Sequence, residues 1–252
     1  MPGRIPILGV PIDGLTQAEV LQRCATALTG TRLLHIVTAN PEILLLARSD
    51  LPYREVLQQA DLVVADGIGV PLAARLIRQR FPERIPGVDL LVELCRLAAR
   101  GGKRVVLLGG WSRVAASTAD VLRQRIPKLD VQTFDPDHPA EDPPPALWET
   151  LRTLRPAVLF VAYGAPKQER WIAKHREALE SLGVRIAMGV GGAFDMLSGK
   201  LPRAPRWLRA FGLEWLWRFI LEPRRFPRII RAIPLFLMRL VIVRVRERYL
   251  PF

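Results

Sequence analysis

Short, mainly apolar runs recur along this chain, and each stops at a turn built from glycine or polar residues. Leu62 to Ala65 runs into Asp66-Gly67, and Leu33 to Val37 runs into Thr38-Ala39-Asn40-Pro41. Arg104 to Leu108 runs into Gly109-Gly110, Val158 to Ala162 into Tyr163-Gly164, and Arg185 to Val190 into Gly191-Gly192. Brief unbroken apolar runs bounded by turns read as strands buried on both faces, the strands of a parallel sheet. Helix signals lie between them. Thr16-Gln17-Ala18-Glu19 is a capping box opening an amphipathic helix through Leu28, stopped by Gly30. Further helices are expected over about 69–80, 89–100 and 114–125, and one beginning at Pro166 and running through Trp171 and Ile172. The alternation predicts an α/β fold, a Rossmann-like, doubly wound and mostly parallel sheet. Residues 5–12 read as a short edge strand broken by prolines.

In such a sheet ligands bind in the crevice beyond the carboxyl ends of the strands. Asp66 falls there, flanked by Gly67 and Gly69, which allow a ligand close to the backbone. That placement makes Asp66 a candidate general base, although Asp-Gly is equally a common turn. Asn40 before Pro41 reads as a helix cap. Thr38 and Asn40 also carry side chains suited to hydrogen-bond a sugar or nucleotide. Arg84 sits in a polar loop, Glu83 to Asp89. Strand, Gly109-Gly110, helix is the frame of a phosphate-binding turn without the full G-x-G-x-x-G pattern. Lys167 and Gln168 fall in a first helical turn, where anions are favoured. Asp135, Asp137, His138, Glu141 and Asp142 have ligand chemistry, but the prolines around them describe an extended acidic loop, and no metal site is expected. Cys24 and Cys95 match no metal spacing and are expected to be buried, reduced thiols. The first residues lack the profile of a signal peptide.

The charge is concentrated at one end. Residues 200–252 hold 13 Lys and Arg against 3 Asp and Glu, a net of +10 out of +13 for the whole chain. A division follows: an α/β catalytic domain over 1–200 and a helical, basic appendage over 201–252. Within the appendage Trp, Phe and Leu interleave with arginines, and the apolar run 232–243 is too short to span a bilayer and contains Arg239. Such a segment suits a helix lying in a membrane interface with its arginines toward acidic headgroups. The alternative is an amphipathic helix packed on its own domain or in a homo-oligomer.

Taken together, several motifs resemble those of the WecG/TagA/CpsF family of bacterial glycosyltransferases. They are Thr38-Ala39-Asn40-Pro41-Glu42, Asp66-Gly67-Ile68-Gly69, Glu83 to Leu90, Gly164 to Glu169, Gly189 to Asp195, Arg203-Ala204-Pro205, and Gly212-Leu213-Glu214-Trp215 to Glu222-Pro223. They spread over about residues 8–230. The resemblance implies an inverting, metal-independent transfer of a sugar, often N-acetylmannosamine or its uronic acid, from a UDP donor. The implied acceptor is a polyprenyl-diphosphate-linked sugar at the cytoplasmic face of the membrane, so the implied location is peripheral on that face, with no cofactor and no nucleic acid. It further implies Asp66 as catalytic base. Thr38, Asn40 and Gln168 become site residues around sugar or acceptor, and Arg84 lies near the site. Arg218, Arg225 and Arg228 would be the appendage's arginines serving the site. The chain departs from the family pattern at Trp111-Ser112-Arg113 after Gly109-Gly110, and in the loop 134–145, which lacks a His-Gly-aromatic pattern.

Inverting transfer needs a base for the acceptor hydroxyl and positive charge or helix amides for the departing diphosphate, and Asp66 and the arginines supply that chemistry. Two other classes share parts of the pattern. A different nucleotide- or NAD-binding enzyme would have the same fold, with Asp66 as a ribose or turn residue. A non-enzymatic module binding membrane or nucleic acid would explain the basic tail but not the polar loops gathered on one sheet edge.

Overall fold

The computed structural model describes residues 3–110, 113–135 and 143–205 and positions 208, 216, 217 and 236. Strands β1 (Arg4–Ile7) and β2 (Val10–Asp13) form an antiparallel hairpin of their own. The main sheet contains β3 (Leu34–Ala39), β4 (Leu62–Ala65), β5 (Val105–Gly109), β6 (Val131–Phe134), β7 (Val158–Ala162) and β8 (Ile186–Gly189). Their order across the sheet is β4-β3-β8-β7-β5-β6, and every neighbouring pair is parallel. All six therefore end on one edge, as expected for a Rossmann-like, doubly wound sheet.

Side-chain alternation along the strands fills one core on one face of the sheet and two on the other. Ile36, Val64, Leu107, Phe160 and Met188 face α1 (Gln17–Thr29), α5 (Gly87–Arg100), α6 (Val114–Arg125) and α10 (Ala193–Leu197). The intervening residues face the other way. Val37 and Val63 pack on the hairpin, α2 (Pro41–Ser49), α3 (Leu51–Gln59) and α4 (Gly69–Leu76). Val106, Leu159 and Ala187 pack on α7 (Pro145–Leu154), α8 (Lys167–Lys174) and α9 (Arg176–Ser181). The expected capping box is present: Thr16 N–H donates to Glu19 Oε2 at 2.7 Å and Glu19 N–H to Thr16 Oγ1 at 3.3 Å. Cys24 and Cys95 are free and buried, and burial pushes both thiols up to about 12.

Three expectations are corrected, and one strand was not expected. Residues 5–12 are not one edge strand but most of a hairpin, because Leu8 and Gly9 both have positive φ (50° and 84°) and reverse the chain. The hairpin covers the edge of β4: Asp13 Oδ2 accepts from Val63 N at 2.8 Å, satisfying an outward-facing edge amide. Strand β6 escaped sequence reading because Val-Gln-Thr-Phe lacks an unbroken apolar run and only Val131 is buried. Helix α4 stops at Leu76, not near 80, where the chain turns into left-handed Arg78. Pro166 precedes α8 as its cap instead of occupying its first position.

Described positions of the basic appendage touch the rest of the protein. Ala204, Leu208 and Phe236 are buried, and Phe236 joins the core that the hairpin, α2, α3 and α4 form against β3 and β4. Arg203 Nη2 donates to Asp89 Oδ1 at 2.7 Å, and within the appendage Trp217 Nε1 donates to the Pro202 carbonyl at 2.8 Å. Phe236 lies within the run 232–243, so at that residue the run packs on its own protein. Among the described residues no helix is long and apolar enough to cross a membrane.

Candidate active site

The first half of the site is built where β3 and β4 end. In register, Thr38 pairs with Val64 and Ala39 with Ala65. The next residue continues the ladder: Asp66 N–H donates to the Ala39 carbonyl at 2.8 Å. Ile85 N–H then donates to the Ala65 carbonyl at 2.9 Å, so the loop leading into α5 crosses the end of β4. Asp66 and Arg84 therefore flank a single backbone hydrogen bond, and both are half-buried. Thr38 belongs to β3 itself, not to the loop after it, and its side chain is nearly covered. A Cβ at Gly87, the first residue of α5, would lie 3.1 Å from Thr38 Oγ1, so Thr38 stands against the start of that helix. Asn40 Oδ1 accepts from Ile43 N at 3.0 Å and caps α2, the role its spacing predicts.

Gly69 departs from its expected role. A Cβ there would stand 2.4 Å from Pro41 Cγ, so this glycine admits the start of α2 against the start of α4, not a ligand. That contact locks the β3 and β4 turns together. Thr38, Asn40, Asp66 and Arg84 are thus gathered at one end of two adjacent strands, a hydroxyl, an amide, a carboxylate and a guanidinium on a common rim.

The second half lies across β8, β7 and β5, whose turns are rich in glycine. Gly109 and Gly110 both adopt positive φ (81° and 94°), which ends β5 in a turn that other residues resist. A Cβ on Gly109 would meet the Tyr163 ring at 2.8 Å, so Tyr163 closes over that turn. Tyr163 is in turn edge-on to Trp171, at 5.9 Å between ring centroids. Lys167 is exposed at the first position of α8.

Gln168 is placed differently from Thr38, Asn40 and Asp66. It is buried, and its Oε1 accepts from Gly164 N at 3.1 Å and from Gly191 N at 2.9 Å. Its Nε2 donates to Glu169 Oε1 at 2.7 Å. Glu169 Oε2 accepts from Tyr53 OH at 3.1 Å. Burial raises the Glu169 carboxyl above the usual carboxylate range, against the lowering effect of these donors, and burial followed by the Glu169 charge raises the Tyr53 phenol. Sequence reading singled out Gln168 through its motif and gave no role to Glu169 or Tyr53. The available signal was a polar pair in the first turn of a helix that packs on the sheet.

Among the described residues no group of three or more His, Cys, Asp or Glu side chains gathers as a metal site. Of the acidic loop, Asp135 is described and accepts from Arg113 N at 3.3 Å, whereas Asp137, His138, Glu141 and Asp142 lie outside the described residues. Arg218, Arg225 and Arg228 also lie outside them.

A parallel sheet with polar and glycine-bearing turns collected on its carboxyl edge is the ligand-binding frame of a Rossmann-like enzyme. The profile of the glycosyl transferase WecG/TagA/CpsF family matches residues 5–249, and the chain belongs to that family. It is 34% identical over 239 residues to the N-acetylglucosaminyldiphosphoundecaprenol N-acetyl-beta-D-mannosaminyltransferase of Staphylococcus aureus strain MRSA252, a match covering 94% of this chain and 92% of that protein. Proteins of the same name from strains NCTC 8325 and COL match with the same identity and coverage. The chain is accordingly a glycosyltransferase.

Proposed function

We propose that this enzyme transfers an N-acetylmannosamine-like sugar from a UDP donor to a polyprenyl-diphosphate-linked N-acetylglucosamine, inverting the anomeric centre, at a membrane surface. The observation that carries the reading is the placement of Asp66. It follows β4 directly, beside Thr38 on β3 and Asn40 just after it, and next to the Arg84 loop. In this reading the acceptor sugar occupies the β3–β4 half of the edge, and Asp66 takes the proton from its attacking hydroxyl. Thr38 and Asn40 hydrogen-bond the sugars. The donor occupies the β8–β7–β5 half, where glycine turns admit a diphosphate close to backbone amides.

The leaving diphosphate gains charge as the glycosidic bond breaks, and cations near it stabilise the transition state. Arg84 and Lys167 are described cations on this edge. Arg218, Arg225 and Arg228 are proposed to complete that charge, and the appendage's arginines and aromatic residues to hold the enzyme at acidic lipid. The mechanism requires no metal. A panel of UDP-sugars offered with a polyprenyl-diphosphate N-acetylglucosamine acceptor tests the proposal. Transfer from UDP-N-acetylmannosamine with formation of a β-linked product supports it. Turnover confined to other nucleotide classes, or none with any lipid diphosphate acceptor, refutes it.

A further inference from the structure

Glu169 has no part in the mechanism above, yet it is among the most deeply buried charged residues described, with 1% of its surface exposed. A carboxyl group in such a place is costly unless its hydrogen bonds are made, and an apolar side chain of similar size would cost less. Here the bonds are made, and they run in one direction. Asp50 Oδ1 accepts from Tyr53 N at 3.0 Å, and both Asp50 oxygens accept from Arg170 Nη2, at 2.7 and 2.6 Å. The Arg170 guanidinium carbon stands 5.9 Å from the centre of the Tyr53 ring. Tyr53 is thus fixed from α3 and α8, and its hydroxyl donates to Glu169. Glu169 receives the Gln168 amide N–H, which leaves the Gln168 carbonyl oxygen facing Gly164 N and Gly191 N. A Cβ at Gly189 would stand 2.6 Å from Gln168 Nε2 and 2.8 Å from Glu169 Oε1, so β8 runs flush against the pair and leaves it one arrangement.

We infer that Glu169, held by Tyr53, is a positioning residue for the donor half of the site: it fixes the Gln168 carboxamide, whose single oxygen clamps the turns after β7 and β8 together. Those two turns come from neighbouring strands and are the walls between which a donor diphosphate would lie. The inference rests on the placement of the donor in the preceding reading. Asp66 does not adjoin the clamp, because β4 lies two strand spacings from β8 and three from β7, about 10 and 14 Å. Disturbing the clamp should therefore weaken donor capture and leave proton abstraction alone.

The test uses the full chain with Glu169→Leu, Glu169→Gln and Tyr53→Phe, in steady-state kinetics with each substrate varied. Glu169→Leu leaves the Gln168 N–H without an acceptor, and the donor KM should rise roughly tenfold, the order expected for one buried hydrogen bond. The acceptor KM and kcat should stay within about threefold. Glu169→Gln keeps a carbonyl acceptor and should return the donor KM to within about threefold, while Tyr53→Phe should raise it about threefold. A purely structural role would reduce the amount of active enzyme, lowering kcat with both KM values unchanged, and that result overturns the inference. Should Glu169→Leu fail to fold, Tyr53→Phe decides: an unchanged donor KM overturns it. Amide hydrogen exchange at Gly164 and Gly191 separates the clamp from the donor assignment. Faster exchange at both in Glu169→Leu, or in Tyr53→Phe where that variant does not fold, with recovery in Glu169→Gln, establishes the clamp; if donor KM then stays unmoved, the clamp stands and its donor role is overturned. Unchanged exchange removes the clamp whatever the substrate.

Discussion

Gly69→Ala tests how the acceptor half of the site is held together. The added methyl would be placed 2.4 Å from Pro41 Cγ, well inside the roughly 3.5–4.0 Å at which carbon atoms rest. Pro41 cannot swing aside, because it opens α2, whose cap is the Asn40 side chain. The starts of α2 and α4 must therefore separate by about 1 Å or more, carrying the turns that bear Asn40 and Asp66 apart. Overpacking of this kind costs about 1–3 kcal/mol. For a chain of 252 residues that corresponds to a fall in Tm of roughly 2–12 °C. The catalytic cost should be larger, because displacing a reacting group by about 1 Å can lower turnover about a hundredfold. Scanning calorimetry and kcat/KM on the purified variant measure the two effects. Gly67→Ala is the control, since nothing lies within 4 Å of its Cβ and only its positive φ of 71° opposes the change. A Gly69→Ala enzyme with unchanged Tm and unchanged kcat/KM would refute the argument that this glycine locks the two turns.

Two further predictions concern stability. Phe236→Ala should lower the unfolding free energy by about 3–5 kcal/mol in urea titrations, because the ring is completely buried in the core shared with the hairpin and α2 to α4. Truncation after Pro202 should carry at least that penalty, and a loss below about 1 kcal/mol in either protein would show that the ring does not complete this core. His35 is buried, and burial, aided by Arg176 and opposed by Asp61, lowers its imidazole from 6.5 to about 4. The folded protein then holds it neutral while the unfolded chain takes up a proton near 6.5, so stability is full above that pH and falls as pH drops toward 4. The loss should be on the order of 3 kcal/mol. His35→Leu should flatten this part of the curve, and parallel curves for the two proteins would contradict the assignment.

Much of the fold was legible because parallel strands buried on both faces announce themselves as apolar runs. Leu62 to Ala65, Val105 to Leu108 and Val158 to Ala162 are strands because no polar face interrupts them. Strand β6 and the hairpin were hidden for the opposite reason. Gln132 to Phe134 are half-exposed, and the hairpin turns through Leu8-Gly9 instead of a residue pair that marks such turns. That Asp66, Thr38 and Asn40 lie close together was legible because each stands at or just after the end of a strand, and parallel pairing brings strand ends together without further information. The function of Gly69 was not legible, since whether a glycine admits a ligand or a neighbouring proline depends on tertiary contact. Glu169 was equally hidden: its partner Tyr53 is 116 residues away, and only the packing of α3 on α8 brings them together.

The direct test of the catalytic reading is Asp66→Asn, which keeps the shape of the side chain and removes its basicity. Donor affinity, measured by calorimetry with the UDP-sugar alone, should stay within about threefold of the unaltered enzyme, because the proposed arrangement puts the donor in the other half of the edge. Turnover with both substrates should fall by about a hundredfold or more, the range for loss of a general base. Near-normal turnover in the Asn variant, with donor binding intact, would contradict the account and remove Asp66 from the proton transfer.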